Sequence, residues 1–135
     1  MDRALPIGCA IVTMMSMIGH PGVAQASPLD NPAQCTFVLV SPHVTQMPGA
    51  KYVTATVKAA SCPLEANPNF ASVCISVDGD DAPDHCVSDN IGNPATVNFP
   101  YRPGRTYVVK GQGCASMFSP PYTVCQNLGP SRMVL

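Results

Sequence analysis

The sequence predicts an all-β domain, a β-sandwich of about seven short strands that is stapled by disulfide bonds and preceded by a signal-peptide helix. Three observations favour this class. Apolar and polar residues alternate in several short runs, 15 prolines and 10 glycines supply frequent turns, and six of the seven cysteines follow the N-terminal leader. After that leader, no window longer than about ten residues has the 3.6-residue period of a helix. The 135 residues leave room for one domain.

The first 26 residues are predicted to be a cleavable signal peptide. Arg3 is followed by an apolar stretch from Leu5 to Ile18 and then by small residues, so cleavage is expected after Ala26. The apolar stretch is shorter than the ~20 residues of a transmembrane helix, and retention as an uncleaved anchor is the alternative. Cys9 precedes most of this stretch instead of following it, which disfavours lipidation. We expect a secreted or cell-envelope protein without stable membrane insertion after the leader is removed.

Residues 27–34 contain two prolines and no periodicity, which predicts a flexible N-terminal arm before a single sandwich domain at 35–135. The clearest strand is Lys51–Ala59, where Val53, Ala55, Val57 and Ala59 share one face. A loop is expected at Cys62–Asn69. The predicted strands are, in chain order, Cys35–Val40 ended by Pro42, Lys51–Ala59, Ala71–Val77 with Val73, Ile75 and Val77 facing inward, Cys86–Ser88, Ala95–Tyr101, Thr106–Lys110 and Tyr122–Gln126.

The segment that ends at Tyr107 points to a topology. Phe99 and Tyr101 are followed by Arg102-Pro103-Gly104-Arg105-Thr106-Tyr107. This pattern resembles the tyrosine corner of fibronectin type III and related immunoglobulin-like domains. The resemblance implies an immunoglobulin-like, fibronectin-type-III-like sandwich in which the Tyr107 ring is buried and its hydroxyl reaches back to the backbone. The alternative is an ordinary Pro-Gly turn followed by a β-forming tyrosine.

The six cysteines of the mature chain predict a disulfide framework. Spacing alone leaves fifteen pairings open. We expect sequential pairing, because it would join neighbouring strands near their ends. Zinc is disfavoured, since no Cys-x-x-Cys pair occurs. The expected bridges are Cys35 with Cys62, Cys74 with Cys86, and Cys114 with Cys125.

The last third of the chain carries a second resemblance. The sequence from Tyr101 to Tyr107 is followed by Gly111-Gln112-Gly113-Cys114-Ala115, Pro120-Pro121, Val124-Cys125-Gln126 and Gly129-Pro130. This pattern is similar to small exported mycobacterial proteins of unknown function. The resemblance implies secretion or a cell-envelope location and carries no catalytic residue to transfer.

One polar cluster stands out, and it consists of Asp78, Asp80, Asp81, Asp84, His85 and Asp89. Several carboxylates around a glycine could surround a calcium ion, but the spacing lacks the complete loop pattern and its distal Glu. We favour a solvated turn whose aspartates cap the backbone. Asp84 and His85 are not expected to form a catalytic dyad, because neighbours on a strand point to opposite faces.

The remaining observations concern function. With seven Lys or Arg residues and a net charge of -1, the chain has no basic surface for nucleic acid. The nucleophile-elbow, zinc-protease and phosphate-loop motifs are missing, and no cofactor or metal is expected. The stretch Gly111–Tyr122 is a candidate recognition loop with Met117, Phe118, Pro120 and Pro121, although Met117 and Phe118 could instead plug the domain end.

These observations together favour an exported, non-enzymatic module that binds an unknown protein or cell-envelope component through loops or a sheet edge. Two alternatives stay open. One is a small secreted hydrolase that uses His85 and the acidic cluster, and the other is a purely structural protein of the cell envelope.

Overall fold

The computed structural model describes residues 34–135, which form seven strands in two antiparallel sheets. β1, β2 and β5 form the three-stranded sheet in that order, and β4, β3, β6 and β7 form the four-stranded sheet. The predicted seven-stranded, fibronectin-type-III-like sandwich is confirmed. The predicted signal peptide and nearly all of the predicted arm lie outside the described residues. The strands are β1 (Thr36–Met47), β2 (Ala50–Ser61), β3 (Ala66–Val77), β4 (His85–Asp89), β5 (Ala95–Pro100), β6 (Thr106–Met117) and β7 (Thr123–Val134).

The core lies between the inner faces of the two sheets, where alternate residues of the central strands meet. The alternation predicted for β2 and β3 is confirmed, with Ala59 half-buried towards the end of its strand. Each fully buried valine or isoleucine side chain contributes about 1.5–3 kcal/mol relative to an exposed one. The buried members of the main core are Val53, Ala55 and Val57 on β2, Ala71, Val73, Ile75 and Val77 on β3, Ala95 and Val97 on β5, and Tyr107 and Val109 on β6.

The first strand is longer than predicted, because it passes through Pro42 and ends at Met47. The pairing with β2 shifts between Val40 and His43, so Ser41 and Pro42 have no partner in the ladder. A proline is tolerated at such a bulge on an edge strand, where its missing N–H removes no ladder hydrogen bond. The side chain of Pro42 is fully buried. The predicted strand end at Pro42 is therefore wrong.

The third strand begins at Ala66, inside the segment Cys62–Asn69 that the sequence predicts to be a loop. Its pairing with β6 shifts between Pro68 and Phe70, and this irregularity accommodates the proline. The loop is shortened to residues 62–65.

The last two strands also extend beyond their predicted ends. β6 continues past Lys110 to Met117, and β7 continues past Gln126 to Val134. The pairing of β6 with β7 shifts between Val109 and Gly111, and this bulge accommodates Pro130 on β7, which is an edge strand. Glycine and proline at these positions therefore mark bulges within long strands.

Gly113 on β6 allows a close contact between the two sheets. A Cβ atom at this position would overlap the ring of Phe37, which belongs to β1 in the opposite sheet. Phe37 is buried there with Cys35 and Ala115 in a second, smaller core cluster. Only glycine leaves room for the ring at this distance, so the pair fixes how β1 lies over β6.

Each of the three disulfides joins two neighbouring strands of the same sheet. Cys74 and Cys86 are directly paired on β3 and β4, and Cys114 and Cys125 are directly paired on β6 and β7. The third bridge, Cys35–Cys62, lies just beyond the paired ends of β1 and β2. The expected sequential pairing is confirmed. Closing loops of 27, 12 and 11 residues restricts the unfolded chain by about 3 kcal/mol per bridge.

Tyr107 fixes the connection between β5 and β6, which carries the chain from one sheet to the other. Its ring is fully buried and packs edge-on against Phe99, with ring centroids 6.3 Å apart. Its hydroxyl accepts a hydrogen bond from the Arg102 amide at 2.7 Å and donates to the Arg102 carbonyl at 3.2 Å. These are the contacts that define a tyrosine corner.

Replacing Tyr107 with phenylalanine should destabilise the domain by about 1–3 kcal/mol, because the Arg102 amide loses its partner in a partly buried site. Urea unfolding of the oxidised protein measures this change. Tyr101→Phe is the matched control, since the Tyr101 hydroxyl makes no hydrogen bond among residues 34–135 and its loss should change stability by less than about 0.5 kcal/mol. Equal stability of the two variants would contradict the structural role of the hydroxyl.

Candidate functional site

Three connections lie at the same end of the sandwich, which we call the loop end. They are residues 62–65 between β2 and β3, residues 90–94 between β4 and β5, and residues 118–122 between β6 and β7. The antiparallel pairing explains this arrangement. β2, β4 and β6 all run towards this end of the sandwich, and β3, β5 and β7 all run back from it. The loops are therefore presented together by strands of both sheets.

Every one of these loops carries at least one large apolar side chain that faces water. Leu64 is fully exposed, Ile91 is 78% exposed, Phe118 is 83% exposed and Tyr122 is 65% exposed. Single exposed apolar side chains are common on protein surfaces. Several on adjacent loops at one end are characteristic of an interaction site.

The β2–β3 loop is anchored at both sides. Cys62, its first residue, is bonded to Cys35 at the start of β1. Across the turn, the Ala66 amide donates a hydrogen bond to the Pro63 carbonyl at 3.1 Å. These two links hold the backbone on either side of Leu64 while its side chain stays in solvent.

The β6–β7 loop is closed by a ladder that continues to its tip. The Cys114–Cys125 bridge lies at its base, and the Met117 amide donates to the Tyr122 carbonyl at 2.8 Å. The predicted recognition loop Gly111–Tyr122 is therefore wrong in its extent, because residues up to Met117 belong to β6. The loop itself is 118–122. Met117 is half-buried, and Phe118, Pro120 and Pro121 are exposed, so Phe118 does not plug the domain end.

The β4–β5 loop is held by a carboxylate. Asp89 accepts hydrogen bonds from the Ile91 amide at 2.9 Å and the Asn93 amide at 3.0 Å. The hydrogen bond from Ile91 is the largest cause that holds the pKa of Asp89 below its usual range. Gly92 has a φ of 83° and lies against the Pro68 carbonyl, where a Cβ would clash. The loop that carries Ile91 is thus fixed to the start of β3.

Two members of the predicted acidic cluster, Asp78 and Asp80, make ion pairs away from the loop end. Asp80 binds Arg102 at 3.2 Å and Arg105 at 2.6 Å, and Asp78 binds Arg132 at 2.8 Å. These carboxylates brace the β3–β4 turn against the tyrosine corner and the end of β7. Such exposed pairs contribute about 0–1 kcal/mol each.

The other members of the cluster do not converge on a point. Asp84 pairs with Lys110 at 2.5 Å on the outer face of the four-stranded sheet, and this contact is the main cause that lowers the pKa of Asp84. Asp81 is exposed, and Asp89 lies at the loop end. Among residues 34–135 no three His, Cys, Asp or Glu side chains are grouped to hold a metal ion. The turn is solvated, as the sequence favours, but within the described part of the chain the predicted backbone capping is found only at Asp89, since Asp78, Asp80 and Asp84 bind arginine and lysine side chains instead.

The two histidines of the described chain lie in different surroundings. The His85 ring is 6.3 Å from the Phe99 ring, at the rim of the core, whereas Asp84 points outward to Lys110. The two neighbours therefore face opposite sides of the sheet, as predicted. His43 is exposed on β1, and its Nδ1 is 3.0 Å from the Ser41 carbonyl oxygen.

A shallow depression of about 400 Å³ lies on the outer face of the four-stranded sheet, beside the β6–β7 bulge. Its polar groups bind one another. Gln112 donates to Asn127 at 2.9 Å, and Lys110 is held by Asp84. The depression therefore offers few unengaged groups to a ligand, in contrast to the loop end.

Sequence reasoning missed two members of the loop end, Leu64 and Ile91. Both are single apolar residues inside turn segments, Pro63-Leu64-Glu65 and Asn90-Ile91-Gly92. An apolar residue between turn-forming neighbours has no strand on which to be buried, and this is the signal that could have identified them.

No protein-family model, curated protein or solved structure matches the chain. The resemblance to small exported mycobacterial proteins stays a prediction, and only the chemistry of the site itself bears on the function. The described residues contain no helix that is long and apolar enough to span a membrane.

The Asp89 carboxyl should titrate below the ordinary aspartate pKa of about 3.9, because the folded loop favours its charged form. Its stabilising contribution is then complete above that ordinary pKa and is lost as the pH falls through the lower folded value. Carbon-detected NMR titration measures the midpoint, and the amide shifts of Ile91 and Asn93 should follow it. The same carboxyl in concentrated urea is the control, and equal midpoints in the two states would contradict the capping role.

Proposed function

We propose that this protein is an exported, non-enzymatic binding module that contacts another protein or a component of the cell envelope through its loop end. One observation carries the proposal: three neighbouring loops expose large apolar side chains at one end of a disulfide-stapled sandwich. Removing such side chains from water is the main favourable term in most protein association.

The anchoring of the loops supports the proposal. A loop that is held in its bound conformation loses less entropy on binding than a free loop does. Each of the three loops has such a constraint at its base, namely the Cys35–Cys62 bridge, the Cys114–Cys125 bridge and the Asp89 cap. A purely structural envelope protein would not need exposed apolar tips on loops that are fixed in this way.

Export is supported by the disulfides and by the predicted leader. Three bridges indicate an oxidising environment outside the cytoplasm. Each closes a short loop within a sheet, which suits a domain whose core is built mainly from valine and alanine. The predicted cleavage after Ala26 would release the domain with its six paired cysteines.

The surroundings of His85 favour binding over hydrolysis. Its ring contacts Phe99, and the neighbouring carboxylates of Asp80 and Asp84 are engaged by arginine and lysine side chains. A general base needs a nucleophile or a water within hydrogen-bond reach and an orienting partner on its other nitrogen. The carboxylates of Asp80 and Asp84 already have structural roles as partners of arginine and lysine side chains.

A photoreactive phenylalanine analogue at position 118 should crosslink to a discrete partner when the oxidised protein is incubated with an envelope extract. The reason is that Phe118 is exposed on an anchored loop. Competition with unlabelled protein should remove the crosslink, whereas competition with a Leu64→Ser, Phe118→Ser variant should not. Gel electrophoresis and mass spectrometry of the crosslinked product provide the measurement.

The same analogue at Ala50, which is exposed at the opposite end beside the β1–β2 turn, is the matched control. It should give no product that is competed by the unlabelled protein. The absence of a competed product from position 118 would contradict the proposal, whether or not position 50 gives one.

A further inference from the structure

A groove of about 380 Å³ lies at the loop end, between the β2–β3 loop and the end of β6. Leu64, Ala66, Met117 and Phe118 form apolar walls, and Glu65 lies at the same opening. The dimensions and the lining suit one or two apolar side chains of a bound molecule.

The walls of this groove are fixed before any partner arrives. The Cys35–Cys62 bridge and the hydrogen bond from Ala66 to Pro63 hold one wall. The hydrogen bond from the Met117 amide to the Tyr122 carbonyl holds the other. The backbone on both sides of the groove is therefore held in place, and the Leu64 and Phe118 side chains are both exposed.

Glu65 gives the groove a charge. The four ion pairs made by residues 34–135 use Asp78, Asp80 and Asp84, and none of them includes Glu65. The arginines and the lysine of those pairs belong to the strands, turn and corner described above, away from the loop end. The carboxylate of Glu65 thus lies beside an apolar groove, is exposed to water, and takes part in none of these pairs.

We propose that the groove binds a segment of a partner protein in which a large apolar side chain is adjacent to a lysine or arginine. The apolar side chain enters between Leu64 and Phe118, and the cation pairs with the Glu65 carboxylate. This inference rests on the proposed function and specifies the partner's chemistry. A lipid surface is a poorer match, because a carboxylate beside the apolar groove is repelled by anionic headgroups and is costly to bury among acyl chains.

The exposure of the Glu65 carboxylate sets how strongly the groove should prefer a peptide with a cation over one without. Exposed ion pairs change binding by a factor of about 1.5 to 5. A peptide with arginine beside its apolar residue should therefore bind about 1.5- to 5-fold more tightly than one with glutamine there. A peptide with glutamate at that position should bind more weakly than either.

NMR titration of the isotope-labelled, oxidised protein with three blocked hexapeptides tests the inference. Their sequences are Gly-Ser-Leu-Arg-Ser-Gly and the versions with Gln or Glu in place of Arg. The arginine peptide should shift the amide signals of residues 64–67 and 116–118 and should bind most tightly. Replacing the leucine of the peptide with serine should remove the shifts.

Substitutions of Glu65 make the test specific, and because this side chain is exposed, the variants should keep the wild-type amide spectrum elsewhere. Glu65→Gln should abolish the preference for arginine, and Glu65→Lys should reverse it in favour of the glutamate peptide. Asp81→Asn, which removes an exposed carboxylate outside the loop end, is the matched control and should leave the preference unchanged.

Three results would overturn the inference: no shifts in the groove with any peptide, an arginine preference that persists in Glu65→Gln, or sedimentation with phosphatidylglycerol vesicles that Phe118→Ser abolishes. Failure of this inference can be distinguished from failure of the proposed function. Crosslinking from position 118 without any charge preference would overturn only the groove chemistry. Loss of specific crosslinking from position 118 would instead overturn the proposed function.

Discussion

The two sheets of this sandwich are held against each other by side-chain packing, and the rest of the structure depends on that contact. Every disulfide lies within one sheet, so no covalent bridge other than the connecting segments joins the sheets in residues 34–135. The close fit of Phe37 on Gly113 and the burial of Tyr107 supply two specific points of attachment. Dense packing of this kind fixes the relative position of strand ends. The packing between the sheets therefore also determines where the three loops of the loop end lie relative to one another.

The two ends of the domain use different chemistry. The end that contains the tyrosine corner is rich in ion pairs, with Asp80 between two arginines and Asp78 bound to Arg132. The loop end has apolar tips, and its backbone is held by two bridges and by the hydrogen bonds that Asp89 accepts. Charges therefore satisfy one another at one end, while the apolar groups at the other face water. This division is the basis of the proposal that the loop end contacts a partner.

The sequence predicted those features that depend on local pattern. The alternation in β2 and β3, the sequential cysteine pairing and the tyrosine at the corner each have a signal within a few residues. The lengths of β1, β6 and β7 could not be read in the same way, because Pro42, the glycines of β6 and Pro130 resemble breaks unless the neighbouring strand is known. The loop end had the weakest signal of all. Leu64 and Ile91 are far apart in the chain, and only the antiparallel topology brings their loops to the same end.

The irregular edge strands have a further consequence for how this protein behaves when it is concentrated. β1 carries a bulge at Pro42, β5 ends at Pro100, β7 contains Pro130, and β4 has only five residues. A second copy that approaches from the side meets short or interrupted rows of amides and carbonyls at all four edges of residues 34–135, which opposes the growth of fibrils by strand addition. The edges of the domain therefore oppose strand-by-strand association with further copies, while hydrophobic groups stay exposed at one end.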